Sequence, residues 1–254
     1  MKPRNAWLVW HRAVHKPLAR LICFPFAGGN AASYATWVGH LPENIELCSI
    51  QLPGRGNRFN EPPAQSLLHE VVPALVQALN FQDATPCVYF GHSLGALMAF
   101  EVARRRQVHA LPGTLRGLIV SGCGAPVCRD SDPHVHLLDD EALLEKLRKL
   151  NGTPRELLDN PELMALLLPV IRADFALADR YVYVPGLLLD LPIWALEGVH
   201  DPSGGDMALW RHETRGGFEG HRFEGDHFFI DSSRAKVVAC VTQAIRQWCL
   251  SPPA

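Results

Sequence analysis

Short apolar runs and helix-periodic stretches take turns along this chain. Arg20-Leu-Ile-Cys-Phe24 has the continuous apolar character of a buried strand and leads directly into Pro25-Phe-Ala-Gly-Gly29. Ile45 to Leu52 is a second strand, closed by Pro53-Gly54. Cys87-Val-Tyr-Phe90, Gly117-Leu-Ile-Val-Ser121 and Leu191-Pro-Ile-Trp-Ala-Leu196 are three more, and His221-Arg-Phe223 is a short strand-like piece. Helices are expected over residues 66–79, 94–106 and 235–248. Pro73 complicates the first of these, although a proline in the early part of a helix can be tolerated. Strands alternating with helices predict an α/β domain, with a mostly parallel sheet covered on both faces.

One segment breaks this rhythm. About seventy residues between the strands at 117–121 and 191–196 contain no clear strand. Leu138 to Leu150 has apolar residues at helical spacing, acidic residues at its start, Lys146, Arg148 and Lys149 near its end, and Gly152 beyond. Residues 161–183 are also helix-like, with an interruption expected at Pro169. The expectation is therefore a core domain formed by residues 1–127 and 186–254, with a helical lid inserted at 128–185. Leu143, Leu147, Leu163, Leu166 and Leu167 are candidates for lid core or for a pocket wall, with core the preferred reading.

Composition narrows the field. At 254 residues and 48% hydrophobic, the chain can bury a core large enough to exclude water from a site. Lys and Arg number 24 against 26 Asp and Glu, a balance that offers no broad field for nucleic acid or an anionic membrane. The apolar run Ala6 to Trp10 is too short for an export signal and is followed by His11 and Arg12. Seven scattered cysteines, an odd number, suggest reduced thiols in a cytoplasmic protein, and no pair is completed into a zinc site.

The strongest chemical signal is Gly91-His92-Ser93-Leu94-Gly95, which follows the strand at 87–90 and opens a helix rich in Ala, Leu and Met. This strand–turn–helix context is what a Gly-x-Ser-x-Gly nucleophile elbow requires. Glycines are needed where side chains would strike neighbouring backbone. The serine stands at a helix N-terminus, where N–H groups favour developing negative charge. The pattern thus predicts an α/β-hydrolase fold with Ser93 as nucleophile.

A serine hydroxyl needs a base, and on this fold the chain order is serine, acid, histidine. His92 would project away from Ser93 at such a turn. His227, in Gly225-Asp-His-Phe-Phe229, follows the last strand-like piece and precedes the last helix. Asp201, in Gly198-Val-His-Asp-Pro202, lies just beyond the strand ending at Leu196. Asp206 is the rival acid and Asp226 a weaker one. His134 and His136 form a His-x-His pair that could bind metal, but with no third ligand nearby they read as an exposed loop. His200 and His221 also read as non-catalytic. The oxyanion hole should combine the Leu94 N–H with one from Phe26-Ala27-Gly28-Gly29; Ala27 is the preferred donor and Phe26 the alternative.

The chain as a whole resembles the stand-alone type II thioesterases that accompany nonribosomal peptide and polyketide synthases. The likeness lies in Cys23-Phe-Pro-Phe-Ala-Gly-Gly29, Gln51-Leu-Pro-Gly-Arg-Gly-Asn-Arg58, Glu61-Pro62-Pro63 and Phe90-Gly-His-Ser-Leu-Gly-Ala96. It continues through Ser121-Gly122, Ala125-Pro126, Asn151-Gly-Thr-Pro154, Leu168-Pro-Val-Ile-Arg-Ala-Asp-Phe175 and Gly225-Asp-His-Phe-Phe229. Leu94 stands where that family often has methionine, and Gly56-Asn57 where it usually has an acidic residue. The resemblance implies a triad of Ser93, Asp201 and His227. It also implies hydrolysis of stalled or aberrant acyl groups from the phosphopantetheine arm of a carrier protein, with no metal or cofactor of the enzyme's own. The expected partners are acyl or peptidyl carrier domains, and nothing in the sequence demands more than a monomer. The competing readings are an oxoester carboxylesterase or lipase, an acyltransferase, and a catalytically silent partner of the synthase.

Overall fold

The computed structural model describes residues 5–111, 114–128, 134–202 and 205–250. Seven strands form one sheet: β1 (Leu8–Arg12), β2 (Ala19–Phe24), β3 (Ile45–Ile50), β4 (Cys87–His92), β5 (Leu115–Ser121), β6 (Ile193–Gly198) and β7 (Phe218–Phe223). Their order across the sheet is β1-β3-β2-β4-β5-β6-β7. Only β1 is antiparallel to its neighbour; every other pairing is parallel. The helices are α1 (Val72–Ala78), α2 (Leu94–Val108), α3 (Asp140–Leu150), α4 (Arg155–Leu158), α5 (Pro161–Asp179), α6 (Phe229–Ser232) and α7 (Arg234–Leu250).

Alternate residues of each strand feed opposite faces of the sheet. Ile22, Phe24, Cys48, Tyr89, Leu118 and Ala195 pack with α1 and α2 on one side. Leu21, Cys23, Leu47, Val88, Ile119 and Trp194 pack with α7 on the other. Strands covered on both faces are apolar throughout, which is why β2, β3 and β4 stand out as unbroken runs in the sequence.

Two local departures have physical causes. The segment expected as one helix over 66–79 opens with a π-turn at Leu67–Val71 and becomes α-helical only at Val72, with Pro73 in the first turn. Pro169 does not interrupt α5, which runs through it. Pro169 and Ala165 both lie on the exposed face, so the carbonyl deprived of its partner can turn to solvent.

Between β5 and β6 the helices α3, α4 and α5 build a cluster of their own from Val135, Leu143, Leu147, Leu158, Met164, Leu168 and Ile171. Asp139 caps α3 by accepting from the Ala142 N–H at 2.8 Å, and Asn151 ends it in the left-handed region. Of the five leucines expected here, Leu143 and Leu147 are core and Leu167 packs against it. Leu163 and Leu166 point to solvent, because their places on α5 face away from the insertion's own cluster. Among the described residues no helix is long and apolar enough to cross a membrane.

Candidate active site

Parallel strands carry their C-terminal ends to one edge of the sheet, and four loops meet there. The segment 25–29 follows β2, Ser93 follows β4, Asp201 lies three residues after β6, and His227 lies four residues after β7.

Ser93 occupies the elbow with φ 54° and ψ −120°, a conformation L-residues avoid unless the surroundings impose it. Its N–H donates to the Ser121 carbonyl at 2.8 Å and its carbonyl accepts from Ala96. A Cβ on Gly91 would lie 2.1 Å from the Gly95 carbonyl oxygen, and one on Gly95 would lie 2.1 Å from that of Phe24. Close backbone approach therefore explains both glycines. Leu94 is the first residue of α2, so its N–H has no carbonyl one turn back in its own helix.

The loops after β6 and β7 are stitched together by backbone. Val199 N–H donates to Phe223, and His200 N–H to Gly225. This brings His227 Nδ1 to 2.8 Å from Asp201 Oδ2, with both side chains almost wholly buried. The His227 ring lies 5.0 Å from that of His92, the residue before Ser93. His92 itself turns into the core, where its Nδ1 is 3.0 Å from Ser121 Oγ. Burial, and then the nearby His227, push its pKa well below the usual histidine value, so it is a neutral imidazole.

In the loop after β2, Gly28 adopts φ 76° and the Gly29 N–H closes a tight turn onto the Phe26 carbonyl at 2.9 Å. The peptides are trans, so the Ala27 N–H points opposite to that carbonyl and out of the turn.

A family model described as a thioesterase domain matches residues 19–247. The chain belongs to the thioesterase family. It is 37% identical to "Linear gramicidin dehydrogenase LgrE" of Brevibacillus parabrevis, over 96% of this chain and 94% of that protein. The solved structure of the type II thioesterase BorB from the borrelidin biosynthetic cluster matches with a TM-score of 0.87 and 34% identity, covering 97% of this chain and all of that one. ClbQ from the colibactin NRPS/PKS pathway matches at 0.83 and 32% identity, over 91% and 98%. The protein is thus a hydrolase of thioester bonds with the α/β-hydrolase architecture expected from its elbow.

The other groups weighed from the thioesterase's sequence are engaged elsewhere. Asp206 accepts from the Ala208 N–H, and Asp226 accepts from Phe228 N–H and Asn151 Nδ2. His200 is exposed near Glu224, and His221 lies against the Trp194 ring. The His-x-His pair does have a third ligand-type neighbour, contrary to the expectation. Asp179, at the end of α5, brings its carboxylate within 4.8 Å of donors on His134 and His136. That carboxylate already accepts from the His136 N–H at 2.9 Å and lies 2.7 Å from its Nδ1, a hydrogen-bonding strut between the start of the insertion and α5. Six described cysteines are free; burial raises the pKa of Cys23, Cys87, Cys240 and Cys249, which keeps those thiols protonated.

Sequence reasoning missed two contacts from the insertion to this edge. Asp174 on α5 accepts from the Gly28 N–H at 2.7 Å, and Asn151-Gly152 packs against Asp226 and Phe228. Their residues lie in Arg-Ala-Asp-Phe175 and Asn-Gly-Thr-Pro154, stretches quoted only for resemblance, and no spacing rule marks a helical Asp or a loop Asn as reaching a distant loop.

Proposed function

We propose that this thioesterase removes acyl groups from the phosphopantetheine arm of carrier domains in a nonribosomal peptide or polyketide assembly line, by a Ser93–His227–Asp201 mechanism. The observation that carries the reading is the convergence of an elbow serine, a turn with an outward N–H and a buried His227–Asp201 pair on one sheet edge. The pathway names attached to BorB and ClbQ support the substrate class.

In this mechanism Ser93 Oγ attacks the thioester carbonyl as His227 Nε2 takes its proton. Asp201 holds the Nδ1–H tautomer and stabilises the imidazolium without receiving a proton. The carbonyl electron pair moves onto oxygen, and the N–H groups of Leu94 and Ala27 donate hydrogen bonds to that oxyanion. When that pair returns, the C–S bond breaks. A thiol of pKa about 8.5 leaves readily as thiolate and collects the proton from His227. Water then attacks the acyl-serine with His227 as base again, releasing acid and free serine. This sequence draws only on the chain's own groups and water.

The dehydrogenase activity in the name of LgrE calls for a different site. A dinucleotide fingerprint needs Gly-x-Gly-x-x-Gly between a strand and a helix, and that spacing of glycines occurs nowhere in this chain. The test is a panel of carrier proteins loaded with short to long acyl groups, with matched oxoesters alongside. Preferential release from the carriers, abolished by Ser93→Ala, is the expected result. Equal or better turnover of the oxoesters would favour a carboxylesterase, and an unchanged Ser93→Ala rate would overturn the mechanism.

A further inference from the structure

The insertion reaches into the candidate site through one carboxylate. Asp174 projects from α5 and is 2% exposed, yet it accepts three hydrogen bonds. Its Oδ2 accepts from the Gly28 N–H at 2.7 Å and from Arg55 Nη1, and its Oδ1 accepts from Arg55 Nη2 at 2.7 Å. Arg55 Nη1 also donates to the Gly29 carbonyl at 3.1 Å. Ion pair and loop are thus one unit. The carboxylate orients the peptide on one side of Gly28, and its guanidinium partner orients the carbonyl of the next residue. One turn earlier on α5, Ile171 fills the space a Cβ on Gly28 would need, with Cγ1 2.9 Å from that position.

This has a chemical consequence. A hydrogen-bond donor helps an oxyanion only if it is aimed before the charge develops. The Ala27 N–H is aimed by the 26–29 turn, and among the described residues the side-chain hydrogen bonds that hold that turn come from Asp174 on α5 and from Arg55. We propose that Asp174, with Arg55 as its countercharge, is a positioning residue for thioester hydrolysis: it holds the loop after β2 so that the Ala27 N–H faces the developing oxyanion. The inference rests on the oxyanion role given to that loop above. It makes the catalytic site conditional on the insertion. If α5 leaves its seat, Gly28 loses its acceptor and Arg55 its counterion together, so a seated helix and a formed oxyanion loop coincide.

The test compares the full-length wild type with Asp174→Asn and with the double variant Asp174→Leu/Arg55→Met, using an acyl-pantetheine thioester. Asp174→Asn keeps the size but loses the charge, and its amide nitrogen puts a donor against Arg55 where the carboxylate offered a second acceptor. The double variant removes both buried charges, which avoids leaving one unpaired and guards against simple unfolding. Thermal unfolding is recorded for each. The expected result is a kcat lower by about 10- to 100-fold, short of the 10²–10³ lost when a donor is removed outright. KM should stay within about threefold and the pH-rate profile should keep its wild-type shape, since His227 and Asp201 are untouched. A folded variant of either kind with wild-type kcat would overturn the proposal. So would a kcat loss that merely tracks loss of folded protein. Failure of the wider mechanism looks different, because it appears in Ser93→Ala and not in these variants.

Discussion

The Nδ1 of His227 lies 2.8 Å from Oδ2 of Asp201, although the two residues sit in loops after different strands. Backbone bonds between those loops fix the distance, and the Asp201 side chain is 1% exposed. An amide in place of that carboxylate can present its N–H to Nδ1 and stabilise the wrong tautomer. Asp201→Asn is therefore expected to lower kcat by about 10³- to 10⁴-fold with little change in KM. His227→Ala should lose at least as much, and combining it with Ser93→Ala should add little, because in the proposed mechanism the two act as a unit. Steady-state kinetics on an acyl-pantetheine thioester check all three. A Asp201→Asn enzyme within tenfold of wild type would move the acid's role to another residue.

The elbow gives a prediction about stability. Both flanking glycines face backbone oxygens at 2.1 Å from an added Cβ, and a carbonyl in a sheet or helix cannot swing aside as a side-chain tip can. Overpacking typically costs about 1–3 kcal/mol; Gly91→Ala and Gly95→Ala are each expected to exceed about 3 kcal/mol in urea unfolding. A loss below about 1 kcal/mol in either would show that the turn is looser than its contacts suggest.

The same crowding explains what was legible in the sequence. Gly91, Ser93 and Gly95 are dictated by local geometry, so a short motif reveals them, and the order of strands then leads to Asp201 and His227. β1 was not legible. Its Leu-Val-Trp-His-Arg run is half-buried at the sheet edge. Its polar members are also used: His11 meets Ser49, and Arg12 donates to carbonyls at Val38, Leu41, Pro42 and Ile45. Asp174 was hidden for a related reason. Helical periodicity says which face of α5 is apolar, but the burial of one carboxylate depends on Arg55 and Gly28, more than a hundred residues away.

His92 adds a pH dependence to folding. Its pKa in the folded protein is well below histidine's ordinary value of about 6.5, chiefly because it is buried. Between those two values the unfolded chain binds a proton that the folded one does not, so stability falls as pH drops through 6.5 and is regained above it. His92→Asn keeps a polar atom for Ser121 but cannot titrate. The variant should be less stable than wild type at pH 8, and the gap should narrow toward pH 5 by up to about 1.4 kcal/mol per pH unit below 6.5. Denaturant unfolding at half-unit intervals measures it. A gap independent of pH would mean that His92 accepts its proton in the folded state.

The second contact of the insertion predicts a change in rate with little change in stability. Gly152 follows α3, and a Cβ there would lie 2.0 Å from Cε2 and Cζ of Phe228. These atoms are the far end of a ring, which can move. Phe228 follows His227 directly and packs edge-on to it at 5.2 Å, as it does to Phe26 at 4.8 Å. A ring pushed by a methyl group at position 152 therefore presses on His227 and on the loop after β2 at once, the base and the oxyanion loop of the proposed mechanism. Gly152→Ala should cost less than about 1.5 kcal/mol in unfolding free energy, near the range for tolerated core changes. It should also lower kcat by about 5- to 50-fold, since small displacements of reacting groups carry large rate penalties. Phe228→Leu in the same background gives the ring's space back and should recover part of the rate. If Gly152→Ala is slow but Phe228→Leu restores nothing, the loop acts on the site by another route than this ring.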